Sequence, residues 1–135
     1  MTYLLDTHYL LWSLADTGKL SAFERDLITH PDNEIAVSIV SFWEISLKDS
    51  ICKLTLKGFS PEDLSIACAE MRFTVITLNK EESSSFHQLR GAYLKDPFDR
   101  MLVWQAICND FTLISADKHI RKYTSAGLKI LQAKA

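Results

Sequence analysis

Four acidic residues of this chain stand close to points where a short apolar run gives way to a helix-like segment. They are Asp6, Glu44, Asp99 and Asp117. In an open parallel α/β sheet, the carboxyl ends of the strands meet at one edge, and ligands bind there. Four carboxylates at that edge would repel one another unless a positive charge lay between them. The pattern therefore predicts a site for a hard divalent cation, either Mg²⁺ or Mn²⁺.

Each acid also has a purely structural explanation, because acidic and hydroxyl side chains cap helix N-termini. Asp96-Pro97-Phe98-Asp99 is a typical helix start, and Ser41-x-x-Glu44 matches a capping box. Asp6 and Asp117 are suitable caps for the segments that follow them. Taken singly, each residue is better explained as a cap. Taken together they favour a site, because capping does not require all of them at one edge of the sheet.

A polar stripe on the predicted third helix supports a site near Glu44. Ser41, Glu44 and Lys48 follow helical spacing and share one face. The alternative is a solvated face with a Glu44–Lys48 pair, which would contribute only about 0.2–0.5 kcal/mol. A second face of the same helix is apolar and carries Trp43, Leu47 and Ile51.

Hard oxygen ligands imply metal-assisted hydrolysis of a phosphodiester. Carboxylates can hold Mg²⁺ while leaving coordination positions for water and a phosphate oxygen. A bound metal ion lowers the pKa of its water and polarises the phosphodiester. Such a site needs no nucleophilic side chain, and the sequence has no G-x-S-x-G string and no cysteine next to a histidine.

Short apolar runs alternate with helical periodicity and predict the elements that must position these acids. Alternation of this kind predicts an α/β fold with a mainly parallel central sheet and helices on both faces. The 135 residues correspond to one domain, 1–135. The predicted strands are 3–5, 34–37, 73–76, 112–114 and 129–131, and the predicted helices are 8–15, 22–29, 39–51, 61–71, 80–89 and 97–109, with a short seventh after Asp117.

Composition narrows the class of protein further. The net charge of −2 gives no overall attraction to nucleic acid, so RNA binding would depend on local basic residues and on metal. The three cysteines have no paired spacing, which argues against a disulfide framework or a zinc site and favours a reducing cytoplasm. We expect no signal peptide and no membrane span, since no apolar stretch approaches about 18 residues.

Four strings of residues resemble the motifs of PIN-domain ribonucleases, and most of all the VapC toxins of bacterial type II toxin–antitoxin systems. They occur in the family's order and span almost the whole chain. The strings are Leu4-Leu5-Asp6-Thr7-His8, Ser41-Phe42-Trp43-Glu44-Ile45, Asp96-Pro97-Phe98-Asp99-Arg100 and Leu113-Ile114-Ser115-Ala116-Asp117.

The resemblance implies a Mg²⁺- or Mn²⁺-dependent endoribonuclease that inhibits translation and growth. It also implies a VapB-type antitoxin partner and a homodimer or a hetero-oligomer with the antitoxin. Asp6, Glu44, Asp99 and Asp117 match the acidic quartet of the family. The resemblance assigns supporting roles to Thr7, Ser41, Ser115, Asp96 and Arg100, with Asp96 as a helix cap and Arg100 as a structural residue or the partner of a carboxylate.

The chain departs from the family pattern before Asp96, where Tyr93-Leu94-Lys95 replaces a common histidine. This departure affects the expected substrate and partner more than catalysis. For His8 and Trp12, packing or solvation is a better explanation than contact with a ligand.

Two alternatives to a nuclease remain. One is a catalytically silent PIN fold that acts as a binding module, although the intact quartet argues against it. The other is a phosphatase of the haloacid dehalogenase type, which would need Asp-x-Asp where this chain has Asp6-Thr7-His8.

Overall fold

A five-stranded, entirely parallel sheet forms the centre of the protein, whose computed structural model describes residues 1–132. The strand order is β3-β2-β1-β4-β5, so the chain builds outward from β1 first to one side and then to the other. This confirms the predicted α/β fold. The strands are β1 (Thr2–Leu5), β2 (Glu34–Ser38), β3 (Thr74–Ile76), β4 (Thr112–Ser115) and β5 (Lys129–Gln132).

Helices connect successive strands, as parallel pairing requires. Helix α1 begins directly after β1 because the Asp6 carboxylate accepts a hydrogen bond from the backbone N–H of Tyr9 at 2.9 Å. The predicted helices are all present, with short 3₁₀ turns at several ends. They are α1 (Thr7–Ala15), α2 (Ala22–Thr29), α3 (Ile39–Ser50), α4 (Leu64–Glu70), α5 (Lys80–Ser85) and α6 (Pro97–Asn109), with 3₁₀ segments at Thr17–Lys19, Pro61–Asp63, Phe86–Gln88 and Lys118–Ala126.

Two helix predictions were too long, and the segment after Asp117 is 3₁₀ helix over Lys118–Ala126. The predicted helix 80–89 is α-helical only to Ser85, where serine hydroxyls bond to backbone carbonyls of the preceding turn, such as Ser85 Oγ to Glu81 O at 2.6 Å. Serine competes with the helix in this way, which weakens continuation of the α-helix. The predicted helix 61–71 starts with a 3₁₀ turn at Pro61–Asp63.

The side chains of the strands alternate between two hydrophobic cores, one on each face of the sheet. Leu5, Val37 and Ile114 pack against α1, α2 and α4, while Leu4 and Leu113 pack against α6 and the segment after β4. Strands buried on both faces explain why the strand sequences read as apolar runs. The two cores hold β1 rigidly between β2 and β4, and the carboxyl end of β1 lies where the strand order reverses. Such a reversal is where ligands bind in open α/β sheets.

A buried polar network fixes the end of β2 to α5 and α6. Gln105 on α6 is fully buried, and its Oε1 accepts a hydrogen bond from the Ser38 hydroxyl. Its Nε2 donates to the Thr77 carbonyl at 3.2 Å and to Glu82 at 3.1 Å. Asn109 donates to the same Glu82 carboxylate at 2.7 Å. Each of these polar side chains has a hydrogen-bond partner. Because α3 begins directly after Ser38, the network also sets the position of α3 relative to α6.

Candidate metal centre

Asp6 lies at the carboxyl end of β1 and is held by three elements. Its backbone N–H donates to the Ile114 carbonyl at 3.1 Å and continues the β1–β4 ladder beyond Leu5. Its carboxylate accepts a hydrogen bond from the Tyr9 backbone N–H at 2.9 Å. Burial raises the pKa of Asp6 above its ordinary value, although the Tyr9 backbone and the Ser115 side chain act in the opposite direction.

Glu44 enters the site from α3 as a buried residue, with only 3% of its surface exposed. The Thr7 hydroxyl approaches Glu44 Oε1 at 2.6 Å and the Ser41 hydroxyl at 2.9 Å. Ser41 does not cap α3, because Ser38 does so by accepting from the Val40 N–H at 3.0 Å. The capping-box interpretation of Ser41 and Glu44 is therefore wrong.

Asp99 and Asp96 enter from the first turn of α6. Asp96 Oδ1 accepts from the N–H groups of Phe98 and Asp99 at 2.8 and 3.4 Å and caps the helix. Burial, and after it the negative charges of Asp96, Glu44 and Asp6 in that order, together raise the pKa of Asp99 to about 7. The carboxyl groups are therefore close enough to hinder each other's ionisation.

Glu44, Asp96 and Asp99 form the tightest acidic group found among residues 1–132. Each of them offers one oxygen, and the three oxygens lie within 4.8 Å of one another. Carboxylate oxygens are hard ligands, and the mutual repulsion seen at Asp99 is what a divalent cation would relieve. The residues present therefore fit Mg²⁺ or Mn²⁺, and they place Asp96 nearer the centre than the sequence indicated.

Asp117 borders the same region from the other side. Its carboxylate caps the segment after β4 by accepting from the His119 N–H at 2.8 Å, while its own N–H donates to the Ser115 hydroxyl at 3.1 Å. A cavity of about 280 Å³ is lined by Asp6, Asp99 and Asp117. The structure thus brings all four predicted acids to one edge of the sheet. The other lining residues are His8, Trp12, Leu94, Leu102, Leu113, Ser115, Ala116 and Ile120.

Lys48 lies against the acidic group, one helical turn beyond Glu44. Its ammonium group contacts Oε2 of Glu44 and lies 3.8 Å from Oδ2 of Asp96. The hydrogen bond to Glu44 raises the pKa of Lys48 above its ordinary value. Because Glu44 is buried, this is not the solvated pair that the sequence left open.

Two further predicted features lie beside the site. Arg100 points toward the 3₁₀ segment Phe86–Gln88, with its guanidinium group 5.0 Å from the centre of the Phe86 ring, and it forms no ion pair with a carboxylate of residues 1–132. The apolar face of α3 is exposed, with 64% of Trp43 accessible to solvent. Trp43 packs edge-on against Phe98 with ring centres 5.1 Å apart.

The sequence model of the PIN domain family matches residues 3–125, and the chain belongs to this family. The chain is 26% identical over 122 residues to Ribonuclease VapC22 of Mycobacterium tuberculosis. The matched residues make up 90% of this chain and 92% of that protein. No helix among residues 1–132 has the length and apolar character needed to cross a membrane.

Solved structures of similar fold include toxin–antitoxin complexes. The chain superimposes with a TM-score of 0.68 and 17% identity on a chain of VapBC2 from Rickettsia felis, crystallised with a DNA fragment from its promoter, and 98% of both chains is covered. It superimposes with a TM-score of 0.65 and 14% identity on a chain of VapBC-1 from nontypeable Haemophilus influenzae, again covering 98% of both chains. At these identities the likeness concerns the fold.

Proposed function

We propose that this protein is a Mg²⁺- or Mn²⁺-dependent endoribonuclease and the toxin of a toxin–antitoxin pair. The observation that carries the proposal is the convergence of Glu44, Asp96 and Asp99, with oxygens within 4.8 Å of one another, beside a cavity lined by Asp6 and Asp117. Membership of the PIN domain family and the similarity to Ribonuclease VapC22 support the same activity. Cleavage of cellular RNA would inhibit translation and growth.

Glu44, Asp99, Asp6 and Asp96 are the residues that would hold the metal ion. When bound, the ion would lower the pKa of a water molecule and stabilise charge on the phosphate. Thr7 orients Glu44 on α3, and the Tyr9 backbone N–H orients Asp6 after β1, so that carboxylate oxygens from two elements are fixed before substrate arrives. Asp117, at the exposed edge of the cavity, is in position to align water.

The cavity lining is chemically mixed, and this suits a nucleotide. It contains acidic groups together with the apolar side chains of Trp12, Leu94 and Ile120, here called its apolar wall. His8 is exposed beside Trp12, with ring centres 5.9 Å apart. Unpaired bases of RNA stack on aromatic side chains, including histidine and tryptophan. We therefore assign the apolar wall to a base next to the cleaved phosphate.

A cleavage assay on total bacterial RNA tests the proposed activity. The purified protein, free of antitoxin, is incubated with Mg²⁺, with Mn²⁺ and with EDTA, beside Asp6→Asn and Glu44→Gln. Asp26→Asn, an exposed change on α2, is the matched control. We expect discrete products that require metal, Asp6 and Glu44 but not Asp26.

Other results of this cleavage assay would favour an alternative function or contradict the proposed chemistry. If the folded wild type yields no products with either metal, the catalytically silent binding module is favoured. Cleavage that persists in EDTA, or in Asp6→Asn, contradicts the proposed metal chemistry. A phosphatase of the haloacid dehalogenase type still lacks its second acid, because His8 occupies that position.

The proposed partners are a VapB-type antitoxin and a second copy of this chain. The similar complexes of Rickettsia felis and Haemophilus influenzae support the antitoxin. The exposed apolar residues Trp43, Leu47 and Ile51 on α3 provide a surface that protein contact would cover. Light scattering on wild type and Trp43→Ser would show whether this face forms a homodimer. An RNA substrate and three free cysteines support a cytoplasmic location, which is part of this proposal.

A further inference from the structure

Lys48 contacts two carboxylates that belong to the candidate metal centre. Its Nζ touches Oε2 of Glu44 and lies 3.8 Å from Oδ2 of Asp96. The Lys48 side chain is 36% exposed, whereas the Glu44 side chain is only 4% exposed. The contact is therefore built on a buried carboxylate and an ammonium group that reaches it from the rim.

Burial of an unpaired carboxylate raises the free energy of the folded state, so the contact of Lys48 with Glu44 stabilises the fold. Thr7 bonds to Oε1 of Glu44, which leaves Oε2 for Lys48. Asp96 divides its oxygens in the same way, because Oδ1 caps α6 and Oδ2 faces Lys48. Lys48 thus approaches the one oxygen of each residue that is not already engaged in holding the fold.

The same two residues belong to the acidic group that could hold a divalent cation. Glu44 and Asp96 are two of its three members, and Asp99 is the third. An ammonium group and a divalent metal ion held by the same two carboxylates repel each other, because like charges repel strongly in a partly desolvated site. Lys48 and the metal are consequently in direct competition for Glu44 and Asp96.

We infer that Lys48 is a built-in counter-cation of the metal-free protein, which neutralises Glu44 and Asp96 until a divalent ion displaces its ammonium group. The inference rests on the proposed metal dependence and extends it to a residue of this chain. Its consequence is a trade-off: Lys48 keeps the acidic site ordered without metal and weakens metal binding. A lysine that instead remained beside the bound metal as a structural bridge would help the site to form and would strengthen binding.

Metal titration of Lys48 variants tests the displacement directly. Mn²⁺ binding is measured by calorimetry, and the melting temperature is recorded with and without Mn²⁺, for wild type, Lys48→Met and Lys48→Arg. We expect Lys48→Met to bind Mn²⁺ about fivefold to tenfold more tightly. We also expect it to melt at a lower temperature without metal and to gain more on saturation. Lys48→Arg keeps the charge and should stay near wild type.

Lys129→Met is the matched control. It also removes a lysine ion pair, since Lys129 Nζ lies 2.9 Å from Asp110, but that pair is exposed and joins β5 to the residue after α6. We expect its Mn²⁺ affinity to equal that of wild type. Unchanged or weaker Mn²⁺ binding by Lys48→Met would overturn the inference.

A measurement on the wild type covers the case in which Lys48→Met does not fold. The ammonium signals of ¹⁵N-lysine-labelled protein are followed by NMR during addition of Mg²⁺, with Lys48→Arg used to assign the Lys48 signal. Displacement should shift the Lys48 signal and accelerate its hydrogen exchange, while Lys129 stays unchanged. An unmoved Lys48 signal at saturating Mg²⁺ overturns the inference.

These readouts do not depend on RNA cleavage. The inference therefore fails if the wild type binds metal and Lys48 is unaffected. A wild type that binds no metal contradicts the proposed metal dependence, and the inference with it.

Discussion

The hydroxyl group of Thr7 lies 2.6 Å from Oε1 of Glu44, although 37 positions separate the two residues in the sequence. A carboxylate only accepts hydrogen bonds, so Thr7 donates its single hydrogen to Glu44. The Ser41 hydroxyl, 2.9 Å from the Thr7 oxygen, then supplies the hydrogen of the second contact. The residue after Asp6 therefore orients an acid on a different helix and links α1 to α3.

Removing the Thr7 hydroxyl should loosen Glu44. Thr7→Val keeps the shape but leaves a buried carboxylate without this donor, and we expect a loss of about 1.5–3 kcal/mol in the free energy of unfolding. We also expect weaker Mn²⁺ binding. Urea denaturation and calorimetry measure the two effects. Thr7→Ser, which keeps the donor, should retain both properties; equal behaviour of Val and Ser would refute the role of the hydroxyl.

The pKa of Asp99, raised to about 7 from an ordinary value of 3.8, makes the metal-free protein sensitive to pH. Between these values the folded state holds more protons than the unfolded state, so this residue's contribution to stability falls as pH rises. Asp99→Asn removes the contribution. We expect the stability of wild type relative to Asp99→Asn to fall as pH rises from about 4 to about 7, as measured by denaturation without metal.

The same substitution separates stability from function. Because an amide has no charge to repel Asp96 and Glu44, Asp99→Asn should be at least as stable as metal-free wild type at pH 8. It should bind Mn²⁺ more weakly and fail to cleave RNA. An Asp99→Asn protein that cleaves RNA at the wild-type rate would contradict the assignment of Asp99.

Gln105 should be important for stability because its side chain connects three elements. Gln105→Leu would leave the buried Ser38 hydroxyl without its acceptor and would remove a donor from the Thr77 carbonyl and from the buried Glu82 carboxylate. We expect a loss of about 2–4 kcal/mol in the free energy of unfolding. Gln88→Leu, an exposed change, is the control and should have little effect on the urea midpoint. Similar midpoints for the two variants would show that the network contributes little.

His8 provides a test of the base-binding wall of the cavity. It is exposed, so His8→Ala should leave the melting temperature unchanged. Loss of a stacking surface should weaken RNA binding by about 1 kcal/mol, or roughly fivefold in KM, with less effect on kcat. Cleavage kinetics on a single-stranded substrate measure both constants. The exposed His30 serves as the control in His30→Ala; a fall in kcat alone for His8→Ala would place His8 with the reacting groups instead.

The sequence by itself determined the elements of this protein and the edge of the sheet where chemistry is possible. Apolar runs indicated the strands, most clearly β1, β2 and β4 at the centre of the sheet, where both faces are buried, and Asp96-Pro97 indicated the start of α6. Such signals are local, because hydrogen bonding and periodicity within a segment depend on neighbouring residues. Competition between serine hydroxyls and the helix backbone for hydrogen bonds is harder to judge from the sequence, and for this reason α5 was predicted too long at its serine-rich end.

Only the tertiary structure decided which side chains meet. Asp96 appeared to be a cap in the sequence, yet its carboxylate also groups with Glu44 and Asp99, and its Oδ2 faces Lys48. Contacts of this kind depend on how α3 and α6 pack beside β1, and the packing is set by strand order and by buried groups such as Gln105. A one-dimensional pattern contains the residues of the site, but the distances between them are fixed by packing between elements that are distant in sequence.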